Sequence, residues 1–133
     1  MLENFIETNN LKARIVNRRQ SSNLIKCKLF LTESAQIIVI SLATDKSDLE
    51  KIKRVLGAKE IFAADEKQAI EITGYEKNFL PPISIYGVKV LLDKGLSKHE
   101  LLYCNISEAS CLEISLKEIQ ENNEDVIVGE YCR

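Results

Sequence analysis

The chain has 133 residues with four cysteines, one histidine and no tryptophan, and its 18 Lys and Arg against 20 Asp and Glu give a net charge of −2. This length predicts a single domain, residues 1–133, that is large enough to bury a hydrophobic core. The low net charge excludes a protein-wide positive field, so contact with nucleic acid or a membrane surface would need a local patch. One histidine excludes a histidine-rich metal site and catalytic schemes that use several imidazoles.

The ends and the cysteines of the sequence indicate where the protein works. The N-terminus lacks a basic segment followed by an apolar one, and the longest apolar run, residues 37–40, is too short to span a bilayer. No two cysteines have CxxC spacing, which favours reduced intracellular thiols, with a Cys104–Cys111 bridge as the alternative. We therefore expect a soluble, cytoplasmic protein without a membrane segment.

The early part of the chain predicts a helix and then paired strands. A short helix over residues 2–7 is followed by a strand over 11–16 and a polar loop over 18–22. From Leu24 to Leu31 apolar residues alternate, which places Lys26 and Lys28 on one face of a strand and core residues on the other. The continuous apolar run at 36–42 predicts a central strand covered on both faces, joined to the first by a hairpin.

The middle of the chain predicts two helices and a rigid loop. Ser47 is predicted to cap a helix over 49–56 that ends at Gly57, and a strand over 60–63 follows. Asp65 is predicted to cap a second helix that ends at Gly74. The loop that follows ends in two prolines, which exclude a regular helix or a central strand there.

The last third predicts strands over 88–92, 101–104, 111–114 and 126–128, with a helix starting after Ser115. Strands and helices interleave, yet the early strands pair directly as a hairpin. This favours an α/β fold with a mixed, partly antiparallel, curved central sheet and flanking helices.

Few side chains stand out as chemical groups. Dinucleotide, P-loop, nucleophile-elbow and zinc-protease motifs are all absent from the sequence. Asp93 ends a strand before Gly95, which is typical of a turn-starting aspartate, and His99 lies in a polar turn. Arg18, Arg19 and Lys28 form a basic group that could meet phosphates, although such groups are often only solvated.

Taken together, the spacing of several segments resembles the YbaK and prolyl-tRNA-synthetase-associated editing domains, which are aminoacyl-tRNA deacylases. The resemblance covers about residues 11–121. It is carried by these segments: Ile25-Lys26-Cys27, the helix 49–56 with Leu56-Gly57-Ala58-Lys59, Thr73-Gly74-Tyr75 through Pro81-Pro82, Val90 to Asp93, and Leu101-Leu102-Tyr103.

The resemblance implies hydrolysis of the ester between a wrongly attached amino acid, such as cysteine or alanine, and the 3′-terminal adenosine of the tRNA for proline. It implies no metal and no cofactor, and a synthetase as a further partner. It places Lys26 as the catalytic residue and Arg18, Arg19 and Lys28 as tRNA-binding residues. The implied substrate-binding residues are Thr73, Gly74, Tyr75, Asn78, Phe79, Pro81, Pro82, Asp93 and Asn105.

The chain also departs from the family pattern. Asn78 and Phe79 stand where a second loop glycine is common, and Asn78 is expected to keep a left-handed backbone while Phe79 narrows the pocket. Two other functions therefore stay open. One is a catalytically weakened module that binds tRNA or a synthetase. The other is a hydrolase or ligand-binding protein that acts on another small aminoacyl or nucleotide compound.

Overall fold

Strand β3, Gln36–Leu42, lies at the middle of the sheet, and every residue from Ile37 to Leu42 is buried. Its apolar side chains alternate between two faces that are both covered, which confirms the prediction of a central strand. It pairs antiparallel with β2, Leu24–Thr32, as predicted, and parallel with β5, Lys89–Asp93. The structure, a computed structural model, describes residues 1–133.

The complete sheet has eight strands in the order β1-β7-β6-β2-β3-β5-β8, with β4 paired to β2. Parallel pairing joins β2 to β6, β3 to β5 and β5 to β8, while the other pairs are antiparallel. This confirms a mixed α/β sheet. The remaining strands are β1 Arg14–Asn17, β4 Ile61–Ala63, β6 Leu101–Asn105, β7 Ser110–Ser115 and β8 Val126–Gly129.

Helices and one loop cover the sheet on both faces. The larger core lies against α1 (Leu2–Thr8), α3 (Glu66–Thr73), α4 (Leu116–Glu121) and the loop residues 80–85. The smaller core lies on the other face, where Ile52 of α2 (Leu49–Leu56) and Tyr131 pack against Phe30 and Leu91. None of these helices combines the length and apolar character needed to cross a membrane.

The helix ends follow the sequence signals with one exception. Gly57 and Gly74 end α2 and α3 with φ of 65° and 81°, the left-handed conformation that glycine adopts at little cost. Asp65 and Gln68 form the expected reciprocal cap at the start of α3. The prediction of Ser47 as the cap of α2 is wrong, because Asp48 accepts the hydrogen bond from the Lys51 amide. Ser47 instead forms a β-bridge with Cys132.

The C-terminal segment is fixed against the sheet by Tyr131. This side chain is 1% exposed, its amide donates to Asp93 Oδ1 at 2.8 Å and its hydroxyl donates to the Ile127 carbonyl at 3.0 Å. The Tyr131 carbonyl in turn accepts from the Asp48 amide at 2.8 Å. The residue therefore joins β5, β8 and the start of α2.

We expect Tyr131→Ala to lower the free energy of unfolding by about 3–5 kcal/mol, because it empties a large buried site. Tyr131→Phe should cost about 1 kcal/mol, the usual contribution of one hydrogen bond. Urea denaturation followed by circular dichroism measures both. Val128→Ala is the control, since Val128 is 50% exposed, and equal losses in the control and in Tyr131→Ala would contradict this role.

Candidate functional site

An interruption in the pairing of β2 creates a cleft in the sheet. One edge of β2 pairs with β3 from Ile25 to Leu31. On the opposite edge, β6 pairs only with Leu24 and Ile25, and β4 pairs only with Phe30 to Thr32. Residues 26–29 therefore have no strand beside them on that edge.

A cavity of about 300 Å³ opens at this gap. Backbone polar groups of successive strand residues point to opposite edges, so Cys27 directs its N–H and C=O to the same edge as Ile25 and Leu29. That edge is the open one, since the Leu29 carbonyl accepts from Ala64 beside β4. The remaining walls of the cavity are supplied by Ala43, Ala63, Lys77, Asn78, Leu80, Cys104 and Asn105.

The inner wall of the cavity is apolar and carries two thiols. Cys27 and Cys104 are both buried, and their sulfur atoms are 4.0 Å apart. Burial raises the pKa of the Cys27 thiol well above its ordinary value, so it stays neutral. All four cysteines are free, and the Cys111 thiol donates to Asn105 Oδ1 at 3.1 Å rather than bonding to Cys104. This wall fits a small uncharged group.

Lys26 lines the same cavity, and its side chain extends on the face of β2 opposite to that of Cys27. Its side chain is half-buried, and its ammonium group donates to the backbone carbonyl of Asp45. That bond uses one of three ammonium hydrogens, and the other two have no partner within the protein. Burial, and then the nearby charge of Lys28, lower the pKa of Lys26. An amine held in this way can donate hydrogen bonds to a negatively charged oxygen in the cleft.

Asp93 belongs to an anchor beside this site rather than to the cavity wall. It is buried, and its two carboxylate oxygens accept from the Tyr131 amide at 2.8 Å and the Gly95 amide at 2.9 Å. Ligand atoms of Asp45, Asp93 and Cys132 lie within 4.8 Å of one another. Because each oxygen of Asp93 accepts one backbone hydrogen bond, this group fixes the C-terminal segment next to Asp45 and Lys26.

The loop after α3 contributes fewer of its residues to the cavity than the sequence predicts. Asn78 lines it, together with Lys77 and Leu80, which the sequence analysis did not single out. The positive-φ residues are Asn10 and Ser84 with three glycines, so the expectation of a left-handed Asn78 is wrong. Asn78 lies in a short 3₁₀ helix, Lys77–Phe79, where α-like dihedral angles replace the left-handed turn.

The other predicted loop residues hold the loop in place. Thr73 Oγ1 donates to the Ala69 carbonyl at 2.7 Å and accepts from the Tyr75 amide at 3.0 Å. The Tyr75 hydroxyl lies 2.9 Å from the Ser84 hydroxyl. Pro81 and Pro82 are buried, while Gly74 and Phe79 do not line the cavity. Phe79 therefore does not narrow this cavity as the sequence had suggested.

The predicted basic residues lie next to the cleft. Exposed Lys28 lines the first cavity, and Arg18 and Arg19 line a second cavity of about 530 Å³. The two cavities share Leu24, Ala43 and Asn105. The structure thus brings together Lys26, Lys28, Asn78, Asn105, Arg18 and Arg19 of the predicted site residues.

The sequence reasoning missed the cavity residues Cys27, Cys104 and Leu80. Each appeared only as an ordinary apolar position of a strand or loop. The alternation along β2 placed Cys27 on the core face correctly, but the gap beside it depends on where β4 and β6 end.

Residues 13–121 of this sequence match the family model of the aminoacyl-tRNA editing domain. The chain belongs to this family. It is 26% identical over 91 residues to a proline–tRNA ligase of Halalkalibacterium halodurans, an alignment that covers 68% of the chain but 16% of the ligase. The editing domain therefore spans only a small part of the length of that relative.

Solved structures share the fold of this editing domain along nearly its whole length. The hypothetical protein APE2540 superimposes with a TM-score of 0.86 at 19% identity, covering 99% of both chains. A proposed trans-editing enzyme for prolyl tRNA synthetase superimposes with a TM-score of 0.86 at 16% identity, covering 99% of this chain and 94% of that one. These matches show that the mixed sheet and its flanking helices form a known architecture.

We expect Lys28→Met to raise the pKa of Lys26, because it removes the positive neighbour that lowers it. NMR titration of the lysine side-chain ¹³Cε signals measures this. Lys67→Met is the control, since Lys67 is exposed on α3, away from the site. Two results would contradict this electrostatic description. One is a Lys26 pKa in the wild type that is at or above the pKa of lysine in an unfolded peptide, and the other is a Lys26 pKa that Lys28→Met leaves unchanged.

Proposed function

We propose that this editing domain is a trans-acting aminoacyl-tRNA deacylase that hydrolyses the ester of a mischarged tRNA. The observation that carries the proposal is that Lys26 lines a small cavity with an apolar inner wall at the open edge of β2. Membership of the aminoacyl-tRNA editing family supports the same chemistry.

The reaction needs little from the protein because an aminoacyl ester is already activated. Water adds to the ester carbonyl carbon and loses a proton to solvent, and the carbonyl oxygen takes up negative charge. Lys26 donates a hydrogen bond to that oxygen from the cavity wall. The C–O bond to the ribose then breaks, and the ribose oxygen gains a proton from solvent, which leaves free amino acid and uncharged tRNA. Placing the water and stabilising the oxyanion account for most of such a rate enhancement.

The cavity supports a small amino acid as the group removed. Its volume of about 300 Å³ lies at the lower end of the range for ligand pockets. The neutral thiol of Cys27 and the buried side chains of Cys104 and Leu80 form one wall of the cavity. Cysteine and alanine suit such a wall, whereas charged or large side chains do not.

The relatives support the tRNA for proline as the substrate carrier. One of them is a proline–tRNA ligase, and a structural neighbour is a proposed trans-editing enzyme for prolyl tRNA synthetase. The partner we propose is therefore a mischarged tRNA, presented through its 3′-terminal aminoacyl-adenosine, with a synthetase as a further partner. The proposed reaction proceeds in the cytoplasm and uses neither metal nor cofactor.

We propose that the loop from Thr73 to Pro82 shapes the cavity as a braced unit. Thr73, Gly74 and Tyr75 hold its start, and Pro81 and Pro82 are buried at its end. The segment between them places Asn78 and Leu80 on the cavity wall. Asp93 acts more remotely, by fixing the C-terminal segment beside Asp45, which accepts the hydrogen bond from Lys26.

We expect Lys26→Ala to lower kcat by about 10²–10³-fold, the usual effect of removing one oxyanion donor. The assay follows release of amino acid from tRNA for proline charged with cysteine, alanine, serine or proline, without added synthetase. Lys67→Ala is the matched control, because it removes an exposed lysine from α3.

Different failures of this assay point to different conclusions. Equal turnover by wild type and Lys26→Ala would refute the role of Lys26. No turnover on any charged tRNA, together with tight binding of tRNA or synthetase, would identify a non-catalytic binding module instead. Binding of small aminoacyl compounds without affinity for tRNA would indicate a different substrate class.

A further inference from the structure

The two cavities beside β2 form one groove with two chemically different halves. The inner half is bounded by apolar groups and thiols such as Cys27, Cys104 and Leu80. The outer half is bounded by the polar segment 18–22 and by Thr44. They meet at Leu24, Ala43 and Asn105, so a ligand that fills both would contact an apolar wall at one end and polar groups at the other.

We propose that the outer half binds the 3′-terminal nucleotide of the RNA, with its base stacked on the guanidinium group of Arg19. The inference rests on the proposed function, because the aminoacyl group would occupy the inner half. An ester of an amino acid with a terminal nucleoside has this two-ended character. Lys26 then lies on the wall of the half that holds the ester carbonyl.

Arg19 is built into the structure as a flat, fixed surface. Its Cζ atom lies 4.5 Å from the centre of the Tyr103 ring, and its Nη1 donates to the Tyr103 hydroxyl at 3.3 Å. That hydroxyl donates to Glu113 Oε2 at 2.8 Å, and Glu113 Oε1 accepts from Arg14 at 2.7 Å. Glu113 thus holds the Tyr103 ring in place, and the guanidinium group of Arg19 lies over this ring.

The opposite face of Arg19 remains available for a ligand. Arg19 is exposed and has no carboxylate within ion-pair distance, whereas neighbouring Arg18 has Glu108 at 3.6 Å. Single-stranded RNA is commonly recognised by stacking its bases on aromatic rings or on arginine planes. An arginine already held against a tyrosine ring offers such a plane at a lower cost of ordering its side chain.

The shared residue Asn105 lies at the junction of the two halves. Its Oδ1 accepts from the Cys111 thiol, which orients the amide group, while its Nδ2 makes no hydrogen bond within the protein. A free amide donor at this point is placed between the nucleobase subsite and the ester subsite. The ribose of a terminal nucleotide, with its hydroxyl acceptor, would lie there.

The test measures binding rather than hydrolysis. Fluorescence anisotropy compares two labelled, uncharged acceptor-stem hairpins, one ending in CCA and one that lacks the terminal adenosine. We expect wild type to bind the CCA hairpin roughly tenfold more tightly, the usual contribution of one stacked base. Arg19→Ala and Arg19→Lys should both lose this preference, although lysine keeps the positive charge.

The matched control is Arg54→Ala, which removes an exposed arginine from α2 and should keep the preference. An unchanged preference in Arg19→Ala, or no measurable binding of either hairpin, would overturn the assignment. Because the hairpins carry no ester, this binding assay tests the Arg19 subsite independently of the proposed hydrolysis. An Arg19-dependent preference without deacylation would refute only the activity, whereas deacylation with an Arg19-independent preference would refute only this subsite.

Discussion

The incomplete pairing of β2 is the constraint on which the site depends. A strand in the interior of a sheet normally satisfies its backbone groups on both edges. Here β6 leaves β2 after Ile25, and β4 joins it only at Phe30, so the intervening edge is open within a sheet that is otherwise continuous. The full pairing with β3 on the other edge keeps this segment straight and rigid.

Because side chains alternate along β2, apolar residues lie on one face of the strand and the lysines lie on the other. Cys27 points into the larger core and forms part of the apolar wall, while Lys26 and Lys28 point to the other face. A shift of register by one residue would exchange these roles and bury both amines. The apolar run of β3 prevents such a shift, because both of its faces are already packed.

The sequence predicted these local features well, since they depend on periodicity and capping residues. The β2–β3 hairpin, the buried β3, the Asp65 cap and the glycine ends of α2 and α3 are all confirmed. The error at Ser47 is equally local. Ser47 and Asp48 are adjacent good caps, and the bridge to Cys132 at the far end of the chain decides between them.

Features that depend on segments far apart in the chain could not be predicted from local sequence patterns. The gap beside β2 needs the ends of β4 and β6, which lie far apart in the sequence. Asn78 matched a position where glycine is common, yet a 3₁₀ helix makes the left-handed turn unnecessary. Asp93 carries the sequence signal of a turn-starting residue, and its Gly95 bond bears this out, but its bond to Tyr131 comes from the end of the chain.

The near-neutral charge of the protein makes the position of its few cations beside the cleft important. With a net charge of −2, long-range attraction to RNA is weak, and the proposed RNA binding would depend on a few placed cations. Lys26, Lys28, Arg18 and Arg19 all line the same pair of joined cavities. A small number of phosphate contacts gives a shallow dependence of affinity on salt, so stacking and the fit of the aminoacyl group would carry more of the selectivity than charge does. The proposed deacylase, which would release its tRNA after removing one amino acid, would benefit from weak charge attraction combined with recognition confined to the 3′ end.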